Sequence, residues 1–99
     1  MIEKKINTKG TSARVKFELP GDAATEHVYV VGDFNDWQED SSPMKYVRSR
    51  KVWSTTIKLD TDRTYEFRYL ADGENWINDD EADGTAPNPY FGVNSVIRL

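Results

Sequence analysis

The stretch Thr64–Gly73 (TYEFRYLADG) sets Tyr65, Phe67 and Tyr69 at alternate positions, with Glu66, Arg68 and Leu70 between them, and ends in Asp-Gly. Successive side chains of a strand point to opposite faces, so this spacing predicts a strand with an aromatic inner face. Asp72-Gly73 is hairpin-turn chemistry, because both residues tolerate positive φ. The chain is therefore expected to double back, and Trp76-Ile77 starts the next extended piece.

The flanking segments repeat the pattern. Upstream, Val52–Leu59 sets Trp53, Thr55, Ile57 and Leu59 against Val52, Ser54, Thr56 and Lys58, with Asp60-Thr61-Asp62 as the following turn. Arg14–Leu19 alternates Val15, Phe17 and Leu19 with Arg14, Lys16 and Glu18, and Pro20-Gly21-Asp22 stops it. His27–Val31 (HVYVV) is a β-branched strand closed by Gly32, and Met44–Val47 a shorter one. Gly32–Pro43 (GDFNDWQEDSSP) and Asn78–Pro89 (NDDEADGTAPNP) read as long polar loops, and Val93–Leu99 (VNSVIRL) as the closing strand. No window sustains a 3.6-residue apolar period, so little helix is expected.

About seven short strands with turn signals roughly every ten residues predict an all-β fold, an antiparallel β-sandwich. Alternation nominates the core: Val15, Phe17, Leu19, Val28 or Tyr29, Val30 or Val31, Trp53, Ile57, Leu59, Tyr65, Phe67, Tyr69 and Val96. No internal repeat or linker is visible.

The whole chain has 99 residues, of which 37% are apolar, 13 are basic and 17 acidic, for a net charge of −4. That size supports one core but not a core plus a large enclosed active site. No cysteine is present, which removes disulfides, thiolate nucleophiles and cysteine-ligated metals. His27 is the one histidine, too few for a polyhistidine metal site, and reads as a strand-edge or surface imidazole. No apolar run is long enough to span a membrane, and Met1–Gly10 is too polar for a secretory signal, so a cytoplasmic address is expected. Net acidity without clustered Lys/Arg argues against nucleic acid.

Trp37 and Trp76 sit in or beside turn-rich segments, outside the alternating strands where a core would claim them. Each is either a packing plug or a flat platform for the C–H face of a sugar ring, beside polar groups for its hydroxyls. Arg68 points away from the aromatic face of its strand, and Asn94 lies near the start of the last strand; each also reads plainly as a solvated residue. Asp79–Gly84 imitates the opening of a calcium loop, but Tyr90 stands where that motif needs a bidentate Glu, leaving a solvated acidic loop as the reading. Carboxylates are plentiful but lie in polar loops, without the facing, partly buried pair that glycosidase chemistry needs, so no catalysis is expected.

Val28–Trp37 (VYVVGDFNDW), Tyr65–Trp76 (YEFRYLADGENW) and Asn88–Val96 (NPYFGVNSV), in that order, resemble the early-set, isoamylase N-terminal-like domains. These are similar to carbohydrate-binding module family 48 and the glycogen-binding domain of the AMP-activated protein kinase β subunit. The resemblance covers residues 13–99, leaving 1–12 as a polar N-terminal segment. It implies an immunoglobulin-like β-sandwich that either binds α-1,4-glucans, as polysaccharide or maltooligosaccharide and without a cofactor, or packs beside the catalytic barrel of branching and debranching enzymes without binding sugar strongly. With no catalytic barrel in these residues, a stand-alone version is expected.

The same resemblance carries a glucan site onto this chain. The tryptophan ending Gly-x-Phe-Asn-x-Trp is Trp37, the second stacking tryptophan is Trp76, the basic residue on the preceding strand is Arg68, and the late asparagine is Asn94. The leucine that enters a glucan ring in the kinase domain aligns with Tyr90, and a nearby threonine with Gly92; Asn88-Pro89-Tyr90 looks closer to the bacterial branching enzymes. The alternative reading is an interaction module for a protein partner, such as a glycan-metabolising enzyme or a regulatory complex, since exposed aromatics also anchor protein interfaces.

Overall fold

Tyr65, Phe67 and Tyr69 do face inward, and the two sheets close around them. The computed structural model describes residues 1–89 and 92–99. Among these residues the strands are β1 (Ile2–Ile6), β2 (Ser12–Pro20), β3 (Val28–Gly32), β4 (Lys45–Val47), β5 (Val52–Asp60), β6 (Thr64–Ala71), β7 (Asn75–Ile77), β8 (Gly84–Pro87) and β9 (Val93–Arg98). Two single 3-10 turns, Gly21–Ala23 and Asp33–Asn35, interrupt the loops. One sheet runs β1-β2-β5-β4; the other runs β3-β6-β9-β8, with β7 also paired to β6. Every pairing is antiparallel.

The core is the layer between the sheets. Val15, Phe17, Leu19, Trp53 and Leu59 come from one inner face, and Val28, Val30, Tyr65, Phe67, Tyr69 and Ile97 from the other. Phe17 meets Phe67 edge-on at 5.1 Å, and Phe67 meets Tyr69 at 5.5 Å, the tilted geometry aromatic quadrupoles prefer. Tyr65, at the start of β6, donates its hydroxyl to the carbonyl of Asp60 at 2.9 Å. This back-bond, from a tyrosine to the backbone just upstream of its strand, pins the crossing from one sheet to the other, as in immunoglobulin-like sandwiches.

The structure has two strands more than the sequence pattern shows. β1 forms inside the polar N-terminal segment and is held to β2 by its backbone, with Lys4, Lys5 and Ile6 all exposed. β8 lies inside the loop read at Asn78–Pro89 and pairs with β9. Both are edge strands, which carry charge or proline and lack a buried face, so alternation does not mark them.

The core differs in two places. Val96 is buried, but on the outer face opposite Glu66, while its neighbour Ile97 pairs with Tyr65 and fills the interior. Ile57 is only half-buried. The paired alternatives resolve toward Val28, with Tyr29 half-buried; Val30 and Val31 are both buried, though Val30 alone belongs to the inner cluster.

The acidic loop is not wholly solvated. Asp79 is buried: it accepts the Tyr69 hydroxyl at 2.7 Å and the Glu81 N–H at 2.8 Å, while its own N–H donates to the Ser95 hydroxyl at 3.0 Å. Burial, and then the Asp79 carboxylate beside it, pushes the Tyr69 hydroxyl well above the usual phenol pKa. Asp83 pairs with Lys4 and accepts the Arg98 N–H. Two of the carboxylates that imitate a calcium loop, Asp79 and Asp83, are thus used to fasten the loop to the sandwich. Among the described residues no group of His, Cys, Asp and Glu is placed to hold a metal ion, and no helix is long and apolar enough to cross a membrane. His27 is exposed beside Glu26.

Candidate glycan-binding face

Gly32–Trp37 (GDFNDW) is built so that a loop rather than a strand carries Trp37 over the sheet. A Cβ at Gly32 would stand 2.5 Å from the Glu66 carbonyl oxygen and 2.8 Å from the Phe67 Cβ, so only glycine fits against β6. Phe34 turns inward, 5.9 Å from Phe17 and 6.3 Å from Tyr65, and anchors the loop to the core. The Asn35 amide then ties it: its oxygen accepts the Gly32 N–H at 3.1 Å, and its nitrogen donates to the Val30 carbonyl at 2.9 Å and the Ser42 hydroxyl at 3.0 Å.

Asp36 and Trp37 follow with φ of 56° and 58°, in the left-handed region. A bulky residue rarely adopts that conformation, which costs on the order of 1–3 kcal/mol and persists only when neighbours hold it. Here the Trp37 N–H donates to the Gly32 carbonyl at 2.9 Å, and its indole Nε1 donates to Asp33 at 2.8 Å. The other Asp33 oxygen accepts the Glu66 N–H at 2.8 Å, fixing the ring relative to β6. Because the indole N–H is already spent, what half-buried Trp37 offers a ligand is its ring face.

The outer face of β6 supplies the rest. Glu66, Arg68 and Leu70 alternate with the inward aromatics, and Trp76 of β7 lies opposite Leu70. Trp76 is 39% exposed, and the Arg68 guanidinium carbon lies 5.7 Å from its ring centroid, within cation–π range. The Arg68 Nε is buried with no hydrogen-bond partner. Asn94, also buried, donates to Glu66 at 3.0 Å and accepts from Asn88 at 3.3 Å, so a row of polar side chains forms a floor. Trp53, by contrast, is buried, with its indole N–H on the Gly21 carbonyl at 3.3 Å.

These elements enclose one open pocket of about 620 Å³, lined by Asp33, Trp37, Glu39, Glu66, Arg68, Trp76, Asn88, Pro89 and Asn94. Four of the five residues singled out in the sequence, Trp37, Arg68, Trp76 and Asn94, meet there. The fifth, Tyr90, lies outside the described residues; Pro89 before it lines the pocket.

A family model for the glycogen recognition site of AMP-activated protein kinase matches residues 13–98. The chain belongs to that glycogen-recognition family. Its fold is also similar to part of the enterobactin esterase of Shigella flexneri, solved in the presence of enterobactin, with a TM-score of 0.74 and 12% identity over 99% of this chain. The chain spans 32% of the esterase chain, and a likeness at that identity speaks for the fold alone. No curated protein matches the sequence.

In this member of the glycogen-recognition family, the pocket sets three carboxylates, Asp33, Glu39 and Glu66, against the single cation Arg68. Such a lining is rich in acceptors and repels anions, which suits a neutral ligand with many hydroxyl donors. Glu66 and Asp33 were not singled out in the sequence. The signal for Glu66 was present, since it shares the outer face of β6 with Arg68 two residues away. Asp33 stands four residues before the Trp37 indole it accepts from, but nothing in the linear order shows that its other oxygen holds the Glu66 N–H, 33 residues away.

Proposed function

We propose that this domain is a non-catalytic module that binds α-1,4-glucan, as glycogen- or starch-type polysaccharide or as maltooligosaccharide. The observation that carries the reading is the convergence of Trp37, Arg68, Trp76 and Asn94 on one open pocket. The two indole faces serve as apolar platforms for the C–H faces of sugar rings. Arg68 offers hydrogen-bond donors, and Glu66 and Asn94 offer the positions on them that Asn88 and each other leave free. Nothing in this scheme requires a metal or a proton transfer.

A shallow open pocket supports weak binding, with Kd on the order of tens of μM to mM, or about −4 to −6 kcal/mol. A polymer with many ends raises the apparent affinity by multivalency. The same aromatics would suit a protein interface, with a glycan-metabolising enzyme as partner. The polar floor and its surplus of acceptors favour the sugar.

The test is an NMR titration of the labelled domain with maltoheptaose, following the three indole N–H signals. The expected result is movement of the Trp37 and Trp76 signals while that of Trp53 stays still. Trp76→Ala and Trp37→Ala should each weaken binding by about tenfold or more and keep the fold. A dispersed, folded spectrum that does not respond to millimolar sugar would overturn the glucan reading.

A further inference from the structure

The outer face of the four-stranded sheet carries a feature that is hidden in the linear order of the chain. In the pairing register Lys5 of β1 stands opposite Arg14 of β2, and Arg14 stands opposite Lys58 of β5. Three cations thus form one row across adjacent strands, about 10 Å long at the usual inter-strand spacing. Like charges directly opposite one another destabilise a sheet. All three are exposed, and among the described residues none of them has an ion-pair partner. Their neighbours do: Lys4 pairs with Asp83, and Lys16 and Arg50 both reach Glu18, whose pKa the Arg50 hydrogen bond above all draws down.

A lysine on an edge strand has a structural use, since it discourages pairing with another sheet. That accounts for Lys5, and for Lys58, since β4 pairs β5 only along Val52–Ser54, but not for Arg14, whose strand is paired on both sides at that position. The three cations border a shallow pocket of about 440 Å³ whose lining is otherwise Asn7, Thr8, Ser12 and Ile6 at the end of β1. The same sheet face adds Lys16 and Lys45 against Glu3, Glu18 and Asp60, so it is still positive on a chain whose net charge is −4.

We propose that the Lys5–Arg14–Lys58 row docks an extended acidic segment of a partner protein. Its carboxylates would replace the missing counter-charges. Charge complementarity selects an acidic partner. The small number of cations and the absence, among the described residues, of any aromatic side chain along the row favour a peptide over a nucleic acid, whose binding depends on many neutralised phosphates and, for single strands, on stacking. The row lies on the sheet opposite the Trp37–Trp76 pocket, so both faces accept ligands at once, and the proposal stands apart from the glucan reading.

The test is an NMR titration of the whole domain with a hexa-aspartate peptide at low and at high salt. Expected are shifts confined to Lys5, Arg14, Lys58 and their neighbours, with affinity falling about tenfold or more as salt screens the charges. The triple variant Lys5→Ser/Arg14→Ser/Lys58→Ser should lose about tenfold or more in affinity, with a raised Tm and unchanged maltoheptaose binding. Arg14→Ser alone gives a milder version of the same result should the triple variant not fold. Unchanged peptide affinity in both variants, or shifts on another face, would overturn the proposal. So would a short single-stranded oligonucleotide occupying the row while the peptide leaves it untouched.

Discussion

Asp33 holds the Trp37 indole N–H at 2.8 Å with one carboxylate oxygen and the Glu66 backbone N–H at 2.8 Å with the other. One side chain therefore fixes an aromatic platform of the pocket to the strand that forms its floor. Preorganisation of this kind lowers the entropy lost when a ligand binds. Asp33→Ala should weaken maltoheptaose binding by about five- to tenfold, near 1–1.4 kcal/mol, and shift the Trp37 indole signal before any sugar is added. Calorimetry that finds parental affinity would show that Trp37 needs no such tether.

Arg68 offers a sign that separates function from stability. Its Nε is buried and unpartnered, and an unmade hydrogen bond in the interior is costly. Arg68→Met keeps an aliphatic stem against Trp76 and removes the orphan donor. Thermal unfolding should show equal or higher Tm, gaining up to about 1 kcal/mol, while glucan binding falls. A marked loss of stability would mean that the guanidinium contact with Trp76 outweighs the unpaired nitrogen.

Gly32 is demanded by space rather than by backbone angle, since its φ of −172° is extended. A methyl group there meets the Glu66 carbonyl and Phe67 at once. Gly32→Ala should cost about 1–3 kcal/mol by overpacking, read as a lower denaturant midpoint. It should also displace Trp37 and reduce sugar binding.

Asp72 governs part of the acid limb. Its carboxylate accepts the N–H groups of Thr25, Glu26 and His27, with the Thr25 hydroxyl as a further donor, and these hold its pKa down at about 2, against 3.8 for an ordinary aspartate. A depressed folded-state pKa contributes stability that is complete above the unfolded value and fades as pH drops through the folded one. The contribution is therefore present above about pH 4 and lost between about pH 4 and 2. Asp72→Asn should lower Tm at pH 7 and flatten its fall across that window, leaving the two proteins closest near pH 2. Parallel Tm profiles for parent and variant would contradict this role.

Where a strand had one buried and one open face, local pattern was enough. Thr64–Ala71 is β6 to the residue, because three aromatics against Glu66 and Arg68 leave one register that buries them. In Val93–Leu99 the two faces are nearly balanced, so burial of Ile97 inside and Val96 outside followed from pairing with β6. β1 and β8 bury no face of their own and exist through backbone bonds to β2 and β9.

The site divides in the same way. That Trp37, Trp76 and Arg68 lie off the core was legible from spacing, since hydrophobic alternation is a local property that each segment displays without its neighbours. That two indoles 39 positions apart share a pocket, that Asp33 steadies one of them, and that Lys5, Arg14 and Lys58 fall into line are consequences of strand order and register. Those depend on hydrogen bonds between distant segments, and a reading of residues in linear order contains no term for them.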